Sequence, residues 1–169
     1  MKAALAAFDR AGMLGLVQDL YAASKDNQTF LHARLHLGED VLRPYKEAID
    51  RWLWPDVLKN QATSVAKAKK DITDYKKASG TVDGLAELMV FYCERASGFS
   101  CDAGLDDEAY LSARVRMFEQ ALKAVATLPE TQRSALWSRL REVRDRSDDI
   151  GYGVGDDMDA LLNEHGADA

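Results

Sequence analysis

Hydrophobic residues recur along this chain at spacings of three and four, which is the period of an amphipathic α-helix. β-Branched residues never form the alternating runs that are typical of strands, and only three prolines interrupt the pattern. The pattern therefore predicts an all-α protein, with about six to eight helices in a single domain. Two of the predicted helices carry an aromatic residue three positions before an alanine, as α-solenoid hairpins do. We expect an irregular helical bundle with faint α-solenoid-like hairpins.

The first half of the chain gives three predicted helices. The first covers about residues 2–24, with a break expected at the glycines of 12–15. Asn27 is a suitable N-cap for the second, whose buried side is expected to be marked by two leucines at 31 and 35. A third helix near 40–54 ends because Pro55 restricts the residue before it.

The second half of the chain is more strongly patterned. A helix is predicted over 65–77, with Gly80 as its C-cap. The segment 85–99 is apolar around most of its circumference, which predicts the most buried helix of the protein. Two more amphipathic stripes follow, the first after an acidic turn and the second after Pro129.

The stretch DDIGYGVGDDMDALL, residues 148–162, is rich in glycine and aspartate. Its aspartates at a predicted helix start repel anions, which argues against a phosphate loop, and its glycines occupy ligand positions of a calcium loop. We predict a turn, with a mobile lid or partner-binding segment as the remaining functional interpretation. The predicted organisation is a helical domain over 1–147, and then this loop, a short helix near 157–163 and a frayed tail over 148–169, packed on or beside that domain.

Composition limits the classes of function. The chain has 169 residues, of which 47 % are hydrophobic, and this suits one globular domain. Its net charge of −6 repels phosphate backbones, so nucleic acid is not the expected partner. There is neither a signal-peptide core nor an apolar run of membrane-spanning length, and we expect a cytoplasmic protein without membrane contact. Its two cysteines are not spaced as zinc or redox pairs.

Several segments together resemble a known family. They run from about residue 14 to 125, with GYGVGDD as a further match, and read LVQDLY, NQTFLHARL, PYKEAI, AKKDITDYKKASG, ELMVFYCE and AYLSARVRMFEQAL. In these segments the chain resembles a family of small bacterial all-helical proteins of unknown function. The resemblance implies an all-helical fold, and it implies neither an activity nor a site.

One histidine pair is a candidate metal site. His32 and His36 are four residues apart, so they share one face of a helix, and Asp40 lies a turn further on. Two imidazoles and a carboxylate can bind zinc or a similar ion. The motif lacks the H-E-x-x-H pattern of zinc enzymes, and two histidines at the boundary of a core are the simpler interpretation. A metal-dependent enzyme is therefore kept as an alternative function.

A lysine-rich helix over 65–77 is a candidate nucleic-acid surface. Its lysines spread around the side opposite Ile72 and Tyr75, and aspartates at 71 and 74 lie among them. Acidic partners at i, i+4 favour an ordinary solvated face, because single-strand binding also needs exposed aromatic residues between the basic ones. Nucleic-acid binding is the second alternative.

The leading interpretation follows from the absence of catalytic motifs. The sequence has neither a G-x-S-x-G elbow nor a Walker loop, and we predict no catalytic residue and no cofactor. We expect a non-enzymatic protein-interaction or adaptor module, whose partner is another protein or a second copy. Trp54 is the first candidate anchor, because helical phase separates it from Trp52, which is expected to face the core. Trp137 is the second, because it adjoins the apolar stripe of its helix without belonging to it.

Overall fold

A computed structural model of the chain describes residues 1–56, 59, 61–104, 107–148 and 150–166. None of these residues lies in a strand, and the expectation of an all-α fold is confirmed. The described part contains one helix more than the expected range. The helices are α1 (Lys2–Ala6), α2 (Arg10–Ala23), α3 (Lys25–Leu35), α4 (Arg43–Leu53), α5 (Val65–Ala78), α6 (Val82–Ala103), α7 (Glu108–Ala126), α8 (Glu130–Asp145) and α9 (Val154–Gly166).

The chain divides into two compact units, Met1–Val41 and Leu42–Ala169. This division does not coincide with the predicted boundary after residue 147. Helix α9, which follows that boundary, packs on α7 and α8 within the second unit.

The first unit consists of α1, α2 and α3. The expected break at 12–15 is wrong, because the chain leaves the helix at Ala7 and begins again at Arg10. Asp9 caps the new helix, with its side chain accepting a hydrogen bond of 2.7 Å from the Gly12 amide. Ser24 rather than Asn27 caps α3, since the Ser24 hydroxyl accepts from the Asn27 amide at 3.2 Å.

Burial in the first unit is sparse. Ala33 is its only buried residue, and every residue of this unit is described. The expected buried side of α3 is wrong, because Leu31 is only partly buried and Leu35 is 57 % exposed. Several more large apolar side chains of the unit are exposed, namely Phe8, Leu14, Val17, Leu20, Tyr21, Phe30 and Leu37.

Helix α6 lies at the centre of the second unit, where it contacts α4, α5, α7 and α8. It buries more residues than any other described helix, which confirms the prediction for 85–99. Thr81 caps its start by accepting from the Gly84 amide, and Gly104 ends it in the left-handed region with φ +60°. A helix that is apolar around most of its circumference therefore lies where neighbouring helices of the second unit cover it.

Helices α4 and α5 pack against each other beside α6. Tyr45, Ile49 and Leu53 form the buried side of α4. Trp52, which was expected to follow Ile49 inward, is only half-buried. Helix α5 begins after Ser64 and is followed by Gly80 at φ +66°, as the sequence indicates.

The glycine-rich segment forms a turn that leads into α9. Helix α9 begins at Val154, earlier than the predicted start near 157. Tyr152 and Gly153 both take positive φ values, and Tyr152 is 61 % exposed whereas Val154 is buried. Arg144 of α8 ties the turn to both flanking helices, because its guanidinium pairs with Asp148 at 3.2 Å and with Asp159 of α9.

None of the described helices has an apolar stretch long enough to cross a membrane.

Candidate binding clefts in the second unit

The side chain of Trp54 is held at the C-terminal end of α4. The backbone amide of Trp54 donates to the Asp50 carbonyl at 2.7 Å, and the indole lies on Gly98 of α6. Phe99 contacts the indole edge to face, with ring centroids 6.2 Å apart, and the Arg95 guanidinium lies 4.1 Å from the ring centre. Trp54 is half-buried, as the prediction of an edge position requires.

An open cleft of about 550 Å³ adjoins this indole, and we call it the Trp54 cleft. Its walls come from the end of α4, from α6 and from α8. Its lining combines apolar and charged side chains, and the main lining residues are Trp54, Phe91, Gly98, Val143, Glu94, Arg95, Asp102, Arg139, Glu142 and Arg146.

An ion-pair network stiffens one side of the Trp54 cleft. Arg139 of α8 donates to both carboxylate oxygens of Glu94, at 2.7 and 2.8 Å, and also to Glu87 at 2.5 Å. Lys46 of α4 donates to the other oxygen of Glu87 at 2.6 Å. Burial opposes ionisation of Glu87, but the hydrogen bonds from Arg139 and Lys46 outweigh it and lower its pKa below the ordinary value.

Nearer the C-terminal ends of α6 and α8, the Trp54 cleft carries charges without such ties. Asp102, Glu142 and Arg146 are exposed, and none of them makes an ion pair with another residue of the described ranges. Cys101 also lines the cleft, and its thiol donates to the Arg146 carbonyl at 3.2 Å. The hydroxyl of Ser97, which also lines the cleft, is buried and finds no hydrogen-bond partner in the part of the chain that is described.

Sequence reasoning missed a buried cation close to this region. Arg114 of α7 is fully buried, and its three guanidinium nitrogens have no hydrogen-bond partner among the described residues. Desolvation lowers its pKa, against the opposing influence of Cys101, Cys93 and Tyr110. Helical spacing did carry a signal, because Arg114 is three residues after Leu111 and four before Phe118, on the apolar face of α7. The residue type pointed the other way, since arginine is almost never fully buried unless it is paired.

The placement of Trp137 was predicted wrongly. Trp137 is only 5 % exposed and belongs to the buried side of α8 together with Leu136 and Leu140. Three neighbouring positions can all be buried because α8 contacts α6, α7 and α9, which surround it on more than one side. Trp137 therefore cannot act as an exposed anchor, although it is among the residues that line a second cleft, between α8 and α9.

The predicted metal site is not assembled. Helix α3 ends at Leu35, and His36 takes a left-handed conformation with φ +51°, so it leaves the face that carries His32. His32 Nε2 instead hydrogen-bonds the Tyr21 hydroxyl at 2.9 Å, and the two rings stack. The described residues contain no group of three histidine, cysteine or acidic side chains that could hold a metal, so Asp40 does not complete a ligand set there.

The lysine helix α5 is partly neutralised by its own acidic residue. Asp74 pairs with Lys70, one of the predicted i, i+4 pairs, and with Lys77 at 3.2 Å. The ammonium of Lys67 lies 4.1 Å from the centre of the Trp52 ring. An aromatic ring does accompany these lysines, but a cation of the protein already lies over it, which does not favour base stacking.

Comparisons of the chain with protein-family models, with curated proteins and with solved structures find no match. The resemblance to a bacterial helical family therefore stays a prediction, and the clefts have to be interpreted from their own chemistry.

Proposed function

We propose that the protein is a non-enzymatic protein-interaction module that receives an apolar side chain of a partner protein in the Trp54 cleft. The observation that carries this proposal is the state of Trp54 itself, a half-buried indole at the wall of an open cleft. Tryptophan is among the residues that dominate binding energy at interfaces. A cleft of this volume has room for one large side chain with its flanking backbone.

Preorganisation supports the proposal. The indole is confined by Gly98 beneath it, by Phe99 at its edge and by Arg95 over its face. Asp50 in turn pairs with Arg95, so the cation that covers the ring is fixed as well. A side chain that is already ordered loses little conformational entropy on binding, and this leaves more of the contact energy for affinity.

The exposed charged residues of the Trp54 cleft allow the protein to discriminate between partners. Because Asp102, Glu142 and Arg146 keep their charges exposed, a partner with complementary charges around its apolar anchor is favoured over others. Arg139 and Glu94, about one to two turns earlier on the same two helices, already satisfy each other and serve as a stiff wall.

The experiment compares partner capture by two tryptophan variants. Tagged wild-type protein, Trp54→Ala and Trp52→Ala are used to isolate partners under identical conditions. Trp52 is the matched control, because it is half-buried, two residues away and outside the cleft lining. Partners held by wild type and by Trp52→Ala should be lost with Trp54→Ala.

Thermal unfolding of both variants separates binding from folding. A folded Trp54→Ala protein that still holds the same partners at wild-type levels contradicts the proposal. Equal loss from both variants also contradicts it, since the binding surface would then lie elsewhere on α4 or α5.

We also propose that the module works in the cytoplasm. Cys93 and Cys101 are both free, which suits a reducing compartment.

A further inference from the structure

Helix α2 of the first unit carries an apolar stripe that the described helices leave exposed. Leu14, Val17 and Tyr21 follow one another at spacings of three and four, so their side chains share one side of the helix, and we call them the α2 stripe. They are 57, 37 and 38 % exposed. Asp19 is the one charged residue between them in the sequence, and helical phase places it on the opposite side. The α2 stripe is therefore an uncharged apolar surface.

Helix α3 packs along α2 but does not close over the stripe. The more buried large side chains of α2 are those of Met13 and Leu16, which lie to one side of the stripe. Tyr21 is held in place, because its hydroxyl is hydrogen-bonded to His32 Nε2 of α3 at 2.9 Å and its ring stacks on the imidazole. One end of the stripe is thus ordered in advance and loses little conformational entropy when it is covered.

The first unit is too small to cover these side chains itself. Met1–Val41 buries one residue, Ala33, and contains no cysteine that could cross-link it. Folded units of about 40 residues usually need a disulfide, a metal or oligomerisation. The predicted metal site of this unit is not assembled among the described residues, so association with another surface is the means that is left.

The exposed apolar area of the unit is large enough for a dimer. Apart from Met1, eight large apolar side chains of the unit are between 37 and 57 % exposed. With on the order of 150–200 Å² on each such side chain, together they expose roughly 600 Å². A specific dimer buries about 600–1,000 Å² from each partner, and little more than half of an interface is apolar. The stripe and its neighbours therefore supply an interface at the lower, reversible end of that range.

The charge of the first unit permits contact between identical copies. It contains four basic and five acidic side chains, a net charge of −1, while the whole chain carries −6. Leu42–Ala169 accordingly carries the remaining −5. Two copies that meet through the first unit bring together less like charge than two copies that meet elsewhere, so their mutual repulsion is smaller.

We propose that the α2 stripe is a homodimer interface, at which α2 of one copy packs on α2 of a second copy about a two-fold axis. Val17 is the middle residue of the stripe and meets its counterpart at the axis, while Leu14 and Tyr21 pack to either side. Spacings of three and four also form the seam of a coiled coil, in which the side chains of two helices interdigitate. The Trp54 cleft belongs to the other unit, and the dimer does not depend on a partner in that cleft.

Sedimentation velocity over a range from below about 1 μM to above about 100 μM tests the proposal. We expect wild type to pass from monomer to dimer with a dissociation constant on the order of 10 μM, as suits a small interface. Leu14→Gln and Val17→Gln should each weaken the dimer at least about tenfold, because every dimer then loses two apolar side chains from its interface. Asp19→Gln, at an exposed position opposite the stripe, is the matched control and should keep the wild-type constant.

Two further measurements separate association from folding. All three positions are exposed and glutamine is a good helix former, so far-ultraviolet circular dichroism of the monomers should show equal helix content. Val17→Cys in a Cys101→Ser background should oxidise to a disulfide-linked dimer that keeps this helix content, because residue 17 meets its counterpart at the axis. Asp19→Cys in the same background should stay monomeric.

Three results overturn the proposal. A wild-type chain that is monomeric at every concentration is the first, and binding of that monomer to phosphatidylglycerol vesicles would assign the stripe to a lipid surface instead. The second is a dimer that both glutamine variants form as tightly as wild type. The third is equal cross-linking through residues 17 and 19. Trp54→Ala should dimerise like wild type, and a dimer lost with that variant alone would place the second copy in the Trp54 cleft.

Discussion

The indole of Trp54 occupies the space that a side chain at residue 98 would need. A Cβ atom built on Gly98 would lie 2.4 Å from Cζ3 and 3.0 Å from Cη2 of Trp54, which is closer than packed atoms approach. Gly98 is also in the middle of α6, where glycine costs about 0.5–1 kcal/mol relative to alanine. The absence of a side chain at residue 98 is therefore tied to the position of the tryptophan.

Gly98→Ala should displace the Trp54 ring from its place. We expect a loss of about 1–3 kcal/mol in the free energy of unfolding, because overpacking forces neighbours off their preferred rotamers. Gly15→Ala is the control for the substitution itself, since Gly15 is also helical and a Cβ there meets nothing within 4 Å, and its effect is on the opening of Met1–Val41. That control should be stabilised by about 0.5–1 kcal/mol. Chemical denaturation measures Gly98→Ala, and amide exchange of α2 measures the control. A Gly98→Ala protein as stable as wild type would contradict the packing described.

The two candidate tryptophans should differ in their contribution to stability. Trp137→Ala empties a buried site and should lower the free energy of unfolding by about 3–5 kcal/mol. Trp54→Ala removes a half-buried ring and should cost less, about 1–2 kcal/mol. Thermal and urea unfolding of the two variants give the comparison. A larger loss for Trp54→Ala would reverse the assignment of core and edge.

Arg114 offers a substitution that should stabilise the protein. Because its buried guanidinium finds no hydrogen-bond partner in the described part of the chain, Arg114→Met should raise the free energy of unfolding by about 1–3 kcal/mol. Arg116→Met, two residues further along α7 at an exposed position, should stay within about 0.5 kcal/mol of wild type. Urea unfolding measures both, and strong destabilisation of Arg114→Met would show that the arginine is compensated after all.

The Glu87 network predicts a dependence of stability on pH. Since the folded-state pKa of Glu87 is lowered, its contribution is complete above the ordinary value near 4.5 and is lost as the pH falls through the folded value. Glu87→Gln should therefore flatten the decline of unfolding free energy below about pH 4.5. Glu119→Gln, which breaks an exposed pair with Lys123, should keep most of that decline. Equal pH profiles for wild type and Glu87→Gln would contradict the role of the network.

The spacing of apolar residues predicted most of the helices, but it did not predict which neighbouring elements pack around each of them. Helix α6 was identifiable because an all-round apolar segment has to be covered on every side. The burial of Trp137 could not be predicted in this way. Helical phase describes a single buried face, whereas α8 has neighbouring helices on several of its faces. The pairing of Trp54 with Gly98 joins residues 44 positions apart, and a single sequence shows no relation between them.

The loss of the predicted histidine site has a different cause. His32 and His36 have the right spacing for one helical face, and only the end of α3 at Leu35 separates them. Helix ends are the least regular part of the pattern, since one residue in a left-handed conformation redirects the chain.

The scarcity of buried side chains in Met1–Val41 has a consequence for the timing of backbone opening. Ala33 alone is shielded from water there, so little apolar area has to be re-exposed when α1, α2 or α3 unwinds. Deuterium should therefore replace the amide protons of these three helices early, while the amides of α6 stay protonated longest. A protease that cuts unwound chain should likewise find its first substrate in this segment, well below the temperature at which α6 melts.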